Sequence, residues 1–432
     1  MNSPLKVVII GAGFAGLELA QQLASRALRP RFEVVSIDRQ NHHTFQPLLH
    51  QVATAELEPS QVTYPIRAAI RQAPNVRFVW AEVTNISTEQ RWVETTVGRF
   101  CYDFLAIATG SQPQLATVPG VREYAFALKT VSDAVAIQRQ ILRCCEHASQ
   151  KTGETAPAGE LTVAIAGGGP TGIELAGAMA EWLRHSLVKD YKLDCQHIHL
   201  VLLHSGDRLL PGFHPRLQRY TLRYLQKVGV EVRLQARVSQ VSAQGVRLTD
   251  GQFLPAQTVI WTAGVRGNLP LSSSQAASRL SVGPTLQWAE DARTYVLGDA
   301  AARQPTPLPM LAAVAVQQGR AVANNLRRQA QGKHPLPFRY QPKGKMVILG
   351  RHAAVIQVGR LTLAGIVAWG LWLLCHVLLL RGIRQRLLTL LHWSLNYCCH
   401  ERGSQILLEV PSAEQSFASF DGRGRVGAQR SV

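Results

Sequence analysis

One pattern occurs twice in this chain and limits its possible folds more than any other feature: a short apolar run, a glycine cluster, and an alanine-rich helix start. The two copies are Lys6-Val-Val-Ile-Ile-Gly-Ala-Gly-Phe-Ala-Gly-Leu-Glu-Leu-Ala and Thr162-Val-Ala-Ile-Ala-Gly-Gly-Gly-Pro-Thr-Gly-Ile-Glu-Leu-Ala. Each reads as the opening of a βαβ unit, with a β-rich run passing through glycines into a helix. After the first copy, Phe32–Asp38, Val76–Trp80 and Phe104–Gly110 read as strands. The polar stretch Gln150–Glu160 reads as a linker. Around the second copy, Ile198–His204, Val230–Leu234 and Thr258–Gly264 read as strands, Tyr295-Val-Leu-Gly as another strand end, and Leu311–Ala330 as a helix. Past Gly332 the pattern changes to a strand-like Lys345–Val358, then two hydrophobic helices near Thr362–Leu380 and Ile383–Tyr397. A polar tail begins at about Ser412. With 432 residues the chain has room for two or three units with cores of their own.

The glycine spacing has a chemical meaning. In Gly11-x-Gly13-x-x-Gly16 the first glycine makes a tight turn, the second admits a pyrophosphate to the backbone, and the third lets helix and strand pack closely. Asp38 ends the following strand, where a carboxylate accepts hydrogen bonds from ribose hydroxyls. Gly167, Gly169 and Gly172 keep the same spacing. Two dinucleotide pockets on one chain suit a flavin in one and a nicotinamide dinucleotide delivering hydride to it from the other.

The formal charge of +18 points to a polyanionic surface, either nucleic acid or an anionic membrane leaflet. Position favours the membrane. No acidic residue stands between Asp299 and Glu401, and that stretch holds thirteen Lys and Arg residues together with the most apolar run, Leu361–Leu380. The run is uncharged over 20 residues, enough on length alone to span a bilayer. His376, Gly365 and Gly370 interrupt it, Arg381, Arg384 and Arg386 follow it, and Leu387, Leu388, Leu391 and Leu395 fall mainly on one face of the next helix. With Trp369, Trp372, Trp393 and Tyr397 as interfacial aromatics, the pattern suits two helices lying in one leaflet better than a span. Packing on the body, or a dimer seam, is the third reading. The seven cysteines form no C-x-x-C pair, so reduced thiols are expected. Met1–Lys6 runs straight into an apolar strand, so no signal peptide is assigned and the body is expected on the cytoplasmic face.

Together with Asp103-x-x-x-Ile-Ala-Thr-Gly and Leu297-Gly-Asp299, the twin fingerprints resemble the two-dinucleotide-domain flavoproteins related to glutathione reductase. Within these the chain is most similar to the type II NADH dehydrogenases, the single-subunit NAD(P)H:quinone oxidoreductases. The specific marks are Asn41-His-His-Thr-Phe-Gln-Pro-Leu-Leu-His-Gln-Val-Ala-Thr, Gly-Pro-Thr-Gly-Ile-Glu at 169–174, Leu210-Pro-Gly-Phe, Trp261-Thr-Ala-Gly, Ala315-Val-Gln-Gln-Gly, and Lys343-Gly-Lys-Met with Gly350-Arg. The match runs from about residue 6 to about residue 408.

This resemblance implies an α/β fold of two Rossmann-like domains, the nicotinamide domain inserted in the FAD domain, with C-terminal membrane-associating helices. The expected layout is an FAD domain over 1–115 and 266–340, an NAD(P)H domain over 116–265, an anchoring region over 341–411 and a disordered tail over 412–432. Gly11, Gly13, Phe14, Ala15, Gly16, Asp38 and Arg39 would hold the ADP half of FAD, with Val83, Thr109 and Gly110 also in that site. Asp299 would bind the ribityl chain, and Ala315, Val316 and Lys343 would lie beside the isoalloxazine. Gly167, Gly169, Pro170, Thr171, Gly172, His204 and Gly264 would hold NADH or NADPH. Glu174 matches a glutamate the family places near nicotinamide and quinone, with a part in proton handling. A plain helix-start acid is the alternative, and burial among Ile173, Leu175 and Ala176 would raise its pKa. Glu174, Gln317 and Lys343 are the candidate catalytic residues. A lipid quinone, an anionic membrane surface bound from one side, and a homodimer are the expected partners. No nucleic acid or metal is expected, His42 and His43 being read as pocket lining.

Two positions depart from the family pattern. The strand that usually ends in an acid for the 2′-hydroxyl ends here in His204, followed by Ser205, so a 2′-phosphate is no longer repelled. The quinone-site pattern Ala-Gln-x-Ala-x-Gln reads Ala312-Ala313-Val314-Ala315-Val316-Gln317, with its first glutamine missing and Gln317 and Gln318 left to share its work. A soluble disulfide reductase is excluded, because no cysteine precedes Cys101. A sulfide:quinone reductase would need placed reactive cysteines. A flavin-binding signalling or nucleic-acid-binding protein resembling apoptosis-inducing factor would leave the apolar C-terminus unexplained.

Overall fold

The structure, a computed structural model, describes residues 3–24, 32–150, 161–269, 278–399 and 405–407. The expected linker from 151 and the tail from 412 lie outside the described residues. Two sheets organise the chain, the second parallel throughout and the first parallel except for antiparallel pairings toward one edge. In the first, Leu5–Ile10 sits between Phe32–Asp38 and Phe104–Ile107, with Val76–Trp80 beyond the former and Asp291–Val296 beyond the latter, all parallel. The two central strands carry continuous buried apolar runs, Val7–Ile10 and Phe104–Ile107, because both faces of the sheet are covered there. In the second, Thr162–Ala166 lies between His199–Leu203 and Thr258–Trp261, flanked by Val230–Arg233 and Ala125–Ala127. The strands read from sequence therefore stand where expected, Phe32–Asp38 and Val76–Trp80 with the bounds read and the others one to three residues shorter.

The chain passes between the sheets twice, and the two passes pair with each other: Ser111–Pro113 runs antiparallel to Val265–Gly267. Each sheet carries its own core. Ile9, Leu17, Leu19, Leu105 and Tyr295 are fully buried in the first, and Ile165, Ile173, Leu175, Met179 and Leu202 in the second. A helix over Ala312–Gln329 packs against the first fingerprint helix, Phe14–Leu23, through Gly319, where a Cβ would collide with the Ala15 carbonyl at 2.6 Å.

The C-terminal region corrects one expectation. Leu361–Gly365 is not helical: it is the third strand of an antiparallel sheet with Lys345–Gly350 and Ala353–Val358. Gly365, at φ +84, turns that strand into a helix that covers only Ile366–Leu379. At 1.5 Å per residue those 14 residues extend about 21 Å, short of the roughly 30 Å of a bilayer core. Among the described residues no helix is long and apolar enough to cross a membrane. The second helix, Ile383–Cys399, follows after Gly382.

A second correction concerns side chains. Trp372 and Trp393 are buried and face the body, whereas Trp369 and Tyr397, bonded to each other beside His352, are only partly buried. Arg381 reaches back to Gln21 at 2.6 Å and Glu18 at 3.8 Å, and Arg386 closes the preceding helix through the Leu378 and Leu380 carbonyls. Two of the three arginines thus serve the fold. Of the four leucines read on one face of the second helix, Leu387, Leu391 and Leu395 are at least 46% accessible, while Leu388 is partly buried.

Candidate functional site

The two fingerprints fold alike. Gly11 donates to the Ile37 carbonyl at 2.7 Å and Gly167 to the Leu203 carbonyl at 2.8 Å. A side chain at Gly16 would strike the Gly11 carbonyl, and one at Gly172 the Gly167 carbonyl, so each third glycine is fixed by close approach. A Cβ at Gly13 or Gly169 would meet nothing within 4 Å, which leaves the open approach that a pyrophosphate needs over the helix start. Pro170 opens the second helix with the φ that a first turn requires and no orphaned N–H, and Thr171 beside it is exposed.

Asp38 sits at the end of its strand, accepting from the Ala12 amide at 2.6 Å and the Gln40 amide at 2.8 Å. Burial raises its carboxyl above the ordinary range, and the two amide bonds offset part of that. Arg39 is exposed, its carbonyl held by the Trp80 indole, and Val83 starts a strand just past Ala81, whose amide bonds the Asp38 carbonyl. His43 is buried against Phe14 with ring centroids 4.9 Å apart. Its Nδ1 lies 3.2 Å from the Ala12 carbonyl, and its Nε2 is buried with no partner among the described residues. Burial pushes this imidazole down to about 4, so it is neutral at pH 7. Open space at the pyrophosphate position, a carboxylate at the ribose position and an orphaned imidazole nitrogen beside Phe14 together fit the ADP half of an FAD.

The rest of the first cradle comes from residues distant in sequence. Ser111 donates to Asp299 at 2.5 Å and accepts from Lys129 at 2.8 Å, with Lys129 itself 3.9 Å from Asp299. Burial lowers the Lys129 ammonium, and Asp299 holds it part of the way back. Gly110, at φ +71, makes the turn after the Phe104–Ile107 strand, and the Thr109 hydroxyl donates to the Asn268 carbonyl. Gln318 is buried and accepts from the Gly298 amide at 2.6 Å, fixing the turn that carries Asp299. Ala315 is buried beside that turn and Val316 is partly buried. Gln317 bonds both ways with the backbone of Gln341, which tethers the segment leading to the exposed Lys343. The two glutamines proposed to share a missing one's work are therefore both engaged in holding loops.

Glu174 lies one turn into the second helix and 13% exposed, in a pocket also lined by His50, Gln51, Glu56, Glu181, Arg351 and Tyr397. Burial pushes its carboxyl up to about 8; the Ile348 amide at 3.4 Å and the nearby Trp372 indole offset only part of this. His50 Nδ1 stands 3.9 Å from it, and burial, with His376 close by, takes His50 down to about 3. At pH 7 the pair is thus a neutral acid beside a neutral imidazole, and not an ion pair. His50 Nε2 is buried, with no partner among the described residues. Trp372 stacks on His376 at 3.8 Å and stands edge-on to His50, while His376 meets Phe45, which meets Phe14. An unbroken line of rings thus runs from the first fingerprint to the Glu174 pocket. His50 stands within a family motif and His376 interrupts the apolar run, but the sequence alone assigns neither a role. The usable signal was a histidine inside an otherwise uncharged apolar run, since burying one costs its charge.

At the second fingerprint His204 is partly buried, its Nδ1 accepting from the Gly168 amide at 3.2 Å. Gly264, at φ +75, turns the chain after Thr258–Trp261 and accepts from the Gln114 amide.

Comparison with known proteins gives the same picture. The family model described as pyridine nucleotide-disulphide oxidoreductase matches residues 5–319. The type II NADH:quinone oxidoreductase Ndh of Mycobacterium tuberculosis is 31% identical, covering 96% of this chain and 91% of its own length. The type II NADH:quinone oxidoreductase of Staphylococcus haemolyticus is 29% identical over 81% of this chain and 89% of its own. Among solved structures, NDH2 from Plasmodium falciparum in complex with NADH superposes with a TM-score of 0.84 at 18% identity, over 91% of this chain and 98% of that one.

Proposed function

The chain belongs to the pyridine nucleotide-disulphide oxidoreductases and, among them, to the type II NADH:quinone oxidoreductases, and from that membership we propose how its residues divide the work of moving electrons from NAD(P)H to quinone. When bound, FAD would supply the two-electron redox centre between NAD(P)H and quinone. The residues supply binding, alignment and protons. Gly11, Gly13 and Gly16 with Asp38 hold the FAD diphosphate and ribose; Ser111, Lys129 and Asp299 hold its ribityl chain. Gly167, Gly169 and Gly172 with His204 hold the nicotinamide dinucleotide. The domain boundaries at 115, 265 and 340 are proposed with this assignment, and the paired crossings Ser111–Pro113 and Val265–Gly267 support the first two.

Glu174 is the proposed proton carrier. The observation that carries this role is a carboxyl raised to about 8 beside a neutral His50, because a neutral acid near working pH can hand a proton to a quinone oxygen and recover it through the polar pocket. The exposed apolar side chains of Ile366–Leu379 and Ile383–Cys399 support attachment to one leaflet, with the body on the cytoplasmic face and a homodimer as the proposed assembly.

The direct test is anaerobic stopped flow. NADH is expected to bleach the bound flavin, and a soluble quinone analogue to restore its colour; bleaching without quinone-dependent recovery would remove quinone as acceptor. The twin glycines separate the halves. Gly16→Ala should yield protein without flavin absorbance, whereas Gly172→Ala should stay yellow yet resist bleaching by NADH. A yellow, fully reducible Gly172→Ala protein would refute the second pocket's assignment.

A further inference from the structure

The fingerprints part company one residue after their first glycine. In the first, the Ala12 amide donates to the Asp38 carboxylate at 2.6 Å; in the second, the Gly168 amide donates to His204 Nδ1 at 3.2 Å. His204 therefore stands where Asp38 stands in the twin, at the end of the same strand and on the same amide. The amide is the donor, so Nδ1 carries no proton and the neutral ring carries it on Nε2. Nε2 is turned toward the Gly206 turn, where an added Cβ would lie 2.9 Å from it, and it has no hydrogen-bond partner among the described residues. The twin presents a carboxyl acceptor at this corner. This site presents a neutral N–H donor.

We infer that His204 sets the dinucleotide specificity of this enzyme by offering that donor to the 2′ position of the adenosine ribose, so that NADPH is accepted alongside NADH. The inference rests on the reading of Gly167–Gly172 as the NAD(P)H pocket. A 2′-phosphate carries a charge of about −1.5 to −2 near neutral pH and would be repelled by a carboxylate here, but it accepts a hydrogen bond from Nε2. A 2′-hydroxyl accepts the same bond, so NADH is not excluded. The next carboxylate along the chain, Asp207, is exposed and ion-paired with Arg208 at 3.2 Å, which offsets its charge toward a phosphate.

The test measures NADH and NADPH dissociation constants on the FAD-loaded protein by calorimetry, with anaerobic flavin bleaching alongside. Wild type should bind the two within about tenfold of each other, since one neutral hydrogen bond is common to both. His204→Asp keeps the bond from Gly168 but turns an acceptor outward, and should move the NADPH-to-NADH affinity ratio against NADPH by about 10- to 100-fold. His204→Asn accepts inward and donates outward as the imidazole does, and should keep the wild-type ratio. Wild type rejecting NADPH by more than about 100-fold, or His204→Asp leaving the ratio unchanged, would overturn the inference. If wild type binds neither dinucleotide, the pocket assignment itself has failed. If His204→Asp loses its flavin, the wild-type and His204→Asn ratios decide.

Discussion

Glu174→Gln is expected to slow quinone-dependent reoxidation of the flavin by about 10²- to 10⁴-fold, the usual worth of a positioned acid–base group, while leaving bleaching by NADH close to wild type. Gln fills the same space and can accept from the Ile348 amide, so loss of packing does not account for the effect. The pH profile supplies the second readout. With its carboxyl at about 8, Glu174 is protonated at pH 7, and the quinone step in wild type should fall as pH rises through 8; in Glu174→Gln that limb should vanish. Stability carries the same sign. Between the ordinary 4.5 and about 8 the native state holds a proton that the unfolded chain has released, so native stability drops as pH rises across that window. The thermal midpoint of Glu174→Gln relative to wild type should therefore climb from pH 5 to pH 9. Equal reoxidation rates in the two proteins would leave Glu174 as a helix-start acid and no more.

Local patterns carried most of the fold in the sequence, and they stopped carrying it where distant segments meet. The fingerprints, the strand ends at Asp38 and His204, and the Ala312–Gln329 helix each depend on spacing within a few residues, and each was legible. Leu361–Leu380 was not, because a continuous apolar run gives the same signal for strand and helix; Gly365 marks the break, and only the pairing of Leu361–Gly365 with Ala353–Val358 reveals it. The proposed proton site was half legible. Glu174 follows from its motif, but His50, Tyr397 and Arg351 come from three other segments. The contacts that assemble them, Arg351 to the Asn396 and Tyr397 carbonyls and Trp393 to Gln51, join residues remote in sequence. Trp372 and Trp393 read as interfacial by type, yet the inward face of each helix claims them.

Those same contacts decide how the membrane anchor must be tested. Deleting the chain after residue 360 would remove the surface proposed to meet the membrane, but also Tyr397 from the Glu174 pocket and Trp372 from His50, so lost activity and lost binding would come together. The outward face can be changed alone. Leu374, Leu378, Leu387 and Leu391 are 56%, 59%, 61% and 53% accessible, while Trp372, His376 and Trp393 on the opposite faces are buried. Burying a whole leucine is worth about 1.5–3 kcal/mol, and with roughly half of each side chain still to be covered, four contribute about 3–6 kcal/mol. Changing all four to Gln should therefore lower affinity for lipid vesicles by at least about 100-fold in cosedimentation, with oxidation of NADH by a soluble quinone analogue retained. Charge is the weaker contributor. Arg381 and Arg386 are already bonded within the protein, and each basic residue left near the surface adds only about 1 kcal/mol on anionic lipid. Wild type should accordingly stay bound in high salt and to neutral vesicles. A four-fold variant that still cosediments, or a wild type that salt alone releases, would move the anchor from the apolar face to the basic one.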